Sequence, residues 1–473
     1  MKQKLNKFSD FANSLYPHEI DYLLSVQHFA TEENLKILNL INYNSKNPLN
    51  LLPYDGSLDK RKYSYIKNWI EKNLNNIDVD YYYEWLIGIE KRVMTDSILP
   101  DEEKDLLEQT KSTTNTHYYF IRFYELLQHY RDYLLIRVRN QYYEPISEYL
   151  EKYQAQYQAS TERNKQLNSA TIDIVKQHST TSTESKQWGN FLQSTFLNDD
   201  LDGYTRYRAV VRLTFLYYNY REFDKLKSIY DTLDKMFKAD IFYSKRILAN
   251  YYANRAMMHS KLNELDDAEK YGYLSIRQHN SDYLFYLLNL CGVLLKSKKN
   301  KEAYSLMTES IPELKKTNSY YYKIGFVSFY IKTLLANKNI DKAVSYADSF
   351  FEGYKKEILK YRWHLFFCSY IRALFQAEKY SKILTISKRY NLINKEKQFI
   401  GRAKYLPIIF WHSTVANYFE GGISEEKLES TIIKSGQSLI QHKYKSIKIN
   451  ELLNELSESN PKIFKKIKKE INL

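Results

Sequence analysis

Two residues with chemical potential, His364 and Cys368, stand four positions apart in a stretch of helical spacing. At that separation both side chains share one helix face, where they can ligate a metal or where the histidine can activate the thiol. Leu365, Phe366, Phe367 and Tyr370 surround the cysteine, and a free cysteine in such company is ordinarily a small buried hydrophobe. The buried reading is adopted, so no metal ligand is assigned. The segment Asn198-Asp199-Asp200-Leu201-Asp202-Gly203 has oxygen-bearing side chains at alternate positions and glycine sixth, as a calcium loop does. Its twelfth position is Ala209, where a bidentate glutamate belongs, and Arg206 stands where a ligand should. A polar interhelical loop is expected there instead.

Phosphate loops need clustered glycines so that backbone N–H groups can approach the anion, and only Gly421 and Gly422 are adjacent among 12 glycines. Neither G-x-G-x-x-G nor the Walker loop occurs, and G-x-S-x-G and H-E-x-x-H are absent too. No catalytic residue and no cofactor is assigned, and the expectation is a protein that is not an enzyme.

Two basic stretches offer a different chemistry. Lys60, Arg61 and Lys62, followed by Lys67 and Lys72, interleave with Tyr63, Tyr65 and Trp69, and cations with aromatics can hold a phosphate backbone and stack bases. These cations stand mainly opposite Ile66, Ile70 and Leu74, as on a solvated helix face, which is the preferred reading. Near the end, Asn460 and Pro461 can open a helix with Ile463, Phe464, Ile467 and Ile471 on one side and Lys462, Lys465, Lys466, Lys468 and Lys469 on the other. Such a helix either lies on an anionic surface or caps a helical array, and capping is preferred. Should phosphate be the ligand, its candidate contacts are Lys60, Arg61, Lys62, Lys67, Lys465, Lys466 and Lys469.

The elements that must position these residues are helices. With 12 Gly and 8 Pro in 473 residues, there is little punctuation for short strands. Pro17 suits a first helical position, Thr31 a cap before Glu32 and Glu33, Asp80 a cap before Trp85 and Leu86, Pro100 another start, and Thr116 the cap of a long helix to about Asn140. No segment reaches the roughly 18 apolar residues of a bilayer span. Lys2, Lys4, Lys7 and Asp10 interrupt any apolar leader. Two cysteines, Cys291 and Cys368, offer no disulfide framework. A cytoplasmic location is expected. Residues 158–187 are poor in apolar side chains and include Ser179-Thr180-Thr181-Ser182-Thr183. They read as a polar linker or mobile loop, with a short helix feasible at Ala170 to Gln177. An N-terminal helical domain, 1–157, precedes it.

Beyond Trp188 a repeat emerges. An aromatic-rich helix, a short polar turn and a second helix recur, with second-helix anchors at Leu226, Ala268, Ala303, Ala343 and Ile383, spaced by 42, 35, 40 and 40 residues. A weaker step leads to Leu428. Twelve positions before the anchors stand Thr214, Ala256, Cys291, Ile331 and Ile371. Periods of 20–50 residues mark stacked helix pairs. The Ala256–Ala268–Ser275 and Cys291–Ala303–Ser310 sets resemble the tetratricopeptide repeat family. Bulkier residues in the other units, longer steps and the missing unit-ending prolines depart from its pattern. The resemblance, over about Arg206 to Gln437, implies a right-handed superhelix of helix pairs with a concave groove for a peptide or partner protein.

Tyrosine clusters within these helices, and adjacent tyrosines point about 100° apart, so one can be core while the other faces a groove. Tyr252, Tyr321 and Tyr322, in first helices, are the candidate partner-binding residues. The expected architecture is all-α: a helical domain 1–157, the linker, tetratricopeptide-like repeats over 188–458 and a basic capping helix over 459–473. The expected function is a non-catalytic scaffold or adaptor for a protein partner. The alternative is a regulatory, nucleic-acid-associated protein, to which a net charge of +14 adds only modestly because it is spread along the chain.

Overall fold

A computed structural model describes residues 5–48, 50–179, 184–238, 242–400, 405–440 and 443–471, among which there is no β-strand. No helix among them is long and apolar enough to cross a membrane. The chain divides into two compact units, residues 1–178 with 182–280, and residues 281–473 with 179–181.

The first unit opens with α1 (Asn6–Asn13), α2 (Pro17–Val26), α3 (Glu32–Lys46) and α4 (Lys60–Ile77). Then come α5 (Val79–Met94), α6 (Pro100–Ser112), α7 (Phe120–Ile136) and the long α8 (Asn140–Ser179). Local chemistry sets several of these starts. Pro17 takes the first position of α2 while the Glu19 carboxylate accepts the Tyr16 N–H at 2.7 Å. Asp59 caps α4 by accepting the Arg61 N–H at 2.9 Å. The cap of α5 is Asp78 rather than Asp80, because the helix begins at Val79 and the Asp78 carboxylate accepts the Asp80 and Tyr81 N–H groups at 2.8 and 3.3 Å, while Asp80 pairs with Arg246. The expected start of α7 at His117 moves to Phe120, after a turn in which Phe120 N–H bonds the His117 carbonyl.

Where a polar linker is expected, residues 158–179 continue α8 instead; residues 180–183 lie outside the described residues. Few apolar residues suffice because Leu167, Ala170 and Ile174 fall on one buried face at helical spacing. Some of the polar ones are held by the second α-helix further on. A 3₁₀ turn, Glu184–Trp188, leads to α9 (Gly189–Leu197), α10 (Gly203–Tyr220), α11 (Phe223–Lys238), α12 (Lys245–Leu262) and α13 (Leu265–Ser275). From α10, Arg208 donates to Asn168 at 2.6 Å and Arg212 to the Thr171 hydroxyl at 2.5 Å, both on α8. One apolar cluster runs from Phe8 to Leu274. The N-terminal helices and the first two repeats thus share a core, and the division of the chain falls after Asn280 rather than within 158–187.

The second unit contains α14 (Tyr283–Lys296), α15 (Asn300–Glu309), α16 (Ile311–Lys316), α17 (Tyr320–Ala336), α18 (Ile340–Tyr361) and α19 (Trp363–Gln376). It ends with α20 (Tyr380–Arg389), α21 (Leu392–Lys397), α22 (Ile408–Phe419), α23 (Glu425–Gln437), α24 (Lys443–Ser457) and α25 (Pro461–Ile471). First helices pack on first helices, α14 with α17, α17 with α19 and α19 with α22, and each also packs on its own second helix, α15, α18, α20 or α23.

The repeat has one local cause. Arg221, Asn263, Lys298, Lys338 and Glu378 are left-handed, with φ from 55° to 66°, each five residues before an anchor read from the sequence. After each, an N–H reaches back to a carbonyl of the last helical turn: Glu222 to Tyr217, Glu264 to His259, Lys299 to Leu294, Asn339 to Leu334 and Lys379 to Leu374, all at 2.9 Å. This closure satisfies orphan carbonyls and turns the chain sharply into the second helix. The sixth turn uses Gly421, φ 72°. The anchors Leu226, Ala268, Ala303, Ala343, Ile383 and Leu428 are all buried. Finally, α25 buries Ile463, Phe464, Ile467 and Ile471 against α23 and α24. It approaches so closely that a Cβ on Gly436 would lie 2.5 Å from Ile471 Cδ1.

Candidate functional site

The three tyrosines proposed from the sequence separate. Tyr252 is fully buried in the first unit, which removes it from any surface. Its hydroxyl hydrogen-bonds His18 Nδ1 of α2 at 2.6 Å, and its ring packs on Tyr16, Tyr251 and Tyr271. Burial pushes its phenol well above the ordinary value. Helix α2 also brings His18 Nε2 to Asp234 at 2.8 Å and Glu19 to the Tyr243 hydroxyl at 2.6 Å. Periodicity within α12 could not reveal this cover, which comes from over two hundred residues earlier.

Tyr321 and Tyr322, in the second unit, are accessible, Tyr321 being 50% exposed. The Arg362 guanidinium lies over the Tyr321 ring, 4.0 Å from its centroid, and donates to the Tyr321 carbonyl at 3.3 Å. It can approach because Gly325, one turn on, has no side chain: a Cβ there would come within 2.5 Å of an Arg362 nitrogen. Tyr322 donates to Asp282 at 3.4 Å.

Further along the same face of α17 stands Lys332, its ammonium 4.6 Å from the Phe329 centroid. It makes no ion pair among the described residues. Burial, then repulsion from Arg372, lowers its pKa to about 8. On α19, His364, Cys368 and Arg372 follow at steps of four and so share one face. Arg372 makes a two-point pair with Glu455 of α24, at 2.7 and 2.9 Å. Burial alone would raise the Glu455 pKa, but the bond from His412 and the charge of Arg372 outweigh it and hold it at about 2. Tyr321, Arg362, Lys332 and Arg372 thus form a strip with more cations than carboxylates.

At the edge of this strip, His364 Nε2 stands 3.6 Å from Cys368 Sγ and 3.2 Å from Glu396 Oε1. Glu396, in α21, is fully buried, and its two oxygens accept the Ile409 and Phe410 N–H groups at 3.0 and 2.8 Å. Burial opposes charge on His364, yet Cys368 and Glu396 raise its pKa to about 10. The apolar setting expected for Cys368 is present, since it is 5% exposed, but it is not the whole setting. Extending the four-residue step of His364 and Cys368 finds Arg372. No local signal finds Glu396, Lys332 or Glu455, which arrive from other helices, and Arg362 precedes α19 as its N-cap.

The basic residues are dispersed. Lys62 is paired with Glu33, and Lys67 with Glu71 at 3.6 Å. Lys60 and Arg61 are exposed, and Lys60 and Lys67 help line an open cleft beside Lys7 and Phe8. On α25, Lys466 pairs with Glu429 at 2.5 Å while Lys465 and Lys469 are exposed. The calcium-like segment serves another purpose. Asp202 caps α10 through the Thr205 N–H at 2.9 Å, and buried Arg206 takes Asp199 at 2.6 Å and the Phe196 carbonyl at 3.0 Å. Compared with known proteins, the chain matches no family model and no curated sequence, so its functional reading rests on its own geometry.

Proposed function

We propose that this protein is a non-catalytic, cytoplasmic scaffold of the tetratricopeptide-like class that binds a partner protein or peptide on the first-helix face of its second unit. The observation that carries the proposal is the succession α14, α17, α19 and α22. Each is joined to its second helix by the same kind of turn, with Tyr321 and Lys332 both on α17 and Arg362, at the junction of α18 and α19, stacked on Tyr321. In this reading the helix pairs wind as a right-handed superhelix and the first helices line its groove. A half-exposed aromatic, a stacked guanidinium and an ammonium that makes no ion pair among the described residues match a partner segment that carries acidic side chains, and Tyr322 extends the same surface.

The test is to recover the full chain with its partners from its native cell, as wild type and as a Tyr321→Ala, Lys332→Met double variant. A partner enriched with the wild type and lost from an equally folded variant supports the reading. Equal retention by both overturns it. The alternative, a nucleic-acid-associated regulator, draws on Lys60 and Lys67 at the cleft beside Lys7, with Arg61 exposed next to Lys60. It requires binding that weakens steeply with salt and is lost on nuclease treatment and in a Lys60→Ser, Arg61→Ser, Lys62→Ser variant.

A further inference from the structure

We propose that His364, Cys368 and Glu396 form a mononuclear zinc site. The three side chains supply imidazole nitrogen, thiolate sulfur and carboxylate oxygen, a ligand set that suits zinc. Their ligand atoms all lie within 4.8 Å of one another. Tetrahedral zinc, with bonds of about 2.3 Å to sulfur and about 2.0–2.1 Å to nitrogen and oxygen, sets sulfur and nitrogen about 3.6 Å apart and nitrogen and oxygen about 3.4 Å apart. The distances here are 3.6 and 3.2 Å. Both spacings from the histidine nitrogen therefore match the ion, and the thiol and carboxylate lie within 4.8 Å of each other.

The surroundings agree. Two N–H groups of the first turn of α22 orient the Glu396 carboxylate, as supporting bonds orient metal ligands elsewhere. The His364 ring is set edge-on to Phe399 at 5.1 Å and to Trp363 at 5.4 Å, which restricts its rotation. A carboxylate and a thiolate, both buried, balance one divalent cation, and an isolated buried charge is costly. Three protein ligands leave the fourth position to water, the arrangement of zinc sites that accept an external donor. The other comparable cluster among the described residues, His259, Glu264 and Asp267, offers no thiolate and no buried carboxylate. Glu264 is 37% exposed and closes the α12–α13 turn by pairing with His259 and Lys227.

The test uses the full chain stripped with a chelator and titrated with zinc and with cobalt(II). One equivalent of zinc retained through gel filtration supports the site, as does a sulfur-to-cobalt charge-transfer band with visible bands of tetrahedral intensity. Cys368→Ser should remove the charge-transfer band and weaken binding by about 100-fold or more, while Cys291→Ser should bind as the wild type does. Circular dichroism reports whether Cys368→Ser folds, and His364→Asn, expected to weaken binding similarly, is the second probe. No stoichiometric uptake by the wild type, cobalt bound without the sulfur band, or unchanged uptake by a folded Cys368→Ser or His364→Asn would overturn the proposal. Binding to a partner is a separate readout, so loss of zinc and loss of partner are told apart.

Discussion

The tyrosine pairs of α12 and α17 occupy comparable helices and have opposite fates. In the first unit, Tyr251 shares Asp234 with His18 and receives Arg255 at 2.5 Å, while Tyr252 is closed off by α2. In the second, Tyr321 is half exposed and stacks beneath Arg362, and the same face carries Lys332, which makes no ion pair among the described residues. A repeat helix is therefore neither core nor surface by its own composition. An element that brings acceptors and apolar cover turns its tyrosines into core, and without one the same residue type stays available to a partner.

The largest break of that contrast is a pair of truncations. Tyr252→Ala is expected to destabilise the first unit by about 3–5 kcal/mol, since it empties a fully buried aromatic site and strips His18 of a partner. Tyr321→Ala should move stability by less than about 0.5 kcal/mol. Denaturant melts of the two variants compare them directly, and similar costs would erase the distinction.

Acid separates the units next. The Glu455 carboxyl falls from 4.5 to about 2 on folding, so its contribution is complete above pH 4.5 and lost as pH falls toward 2. The shift corresponds to about 3 kcal/mol. Hydrogen exchange should show α19 and α24 loosening across that window, and Glu455→Gln should remove the pH dependence along with the stability.

Lys332 works in the other direction. Its folded pKa of about 8 lies below its ordinary 10.5, so the charged form is penalised at every pH below 8 and the penalty is relieved between 8 and 10.5. Lys332→Met should stabilise the protein at pH 7 by about 2 kcal/mol while weakening partner binding. A lysine kept for stability would give a loss instead. The smallest effect is common to both units. Lys298→Gly, Lys338→Gly and Glu378→Gly should each gain about 1 kcal/mol by relieving a left-handed backbone, and Asn263→Gly less, because asparagine tolerates that conformation. A thermal-melt series reads all four.

Much of the second unit was legible because its rules are local. Anchor spacing places its left-handed turns at Lys298, Lys338 and Glu378, and the stripe Ile463, Phe464, Ile467, Ile471 marks the buried face of α25. The candidate site was only half legible. His364 and Cys368 are four apart on one helix, whereas their third neighbour, Glu396, belongs to a separate short helix with no pattern of its own. The linker expectation failed for a related reason. Counting apolar residues over 158–187 misses that three fall on one face and that Arg208 and Arg212 of α10 bond Asn168 and Thr171.

By itself, then, the sequence determined the helices, their turns and the step of the repeat, since these follow from hydrogen bonds and side-chain periodicity within a few residues. Tertiary structure alone decided that α2 seals Tyr252, that Glu396 completes the His364–Cys368 pair and that Lys332 faces Arg372. Burial and charge at a position are properties of whatever packs against it, and here that neighbour lies tens to hundreds of residues away.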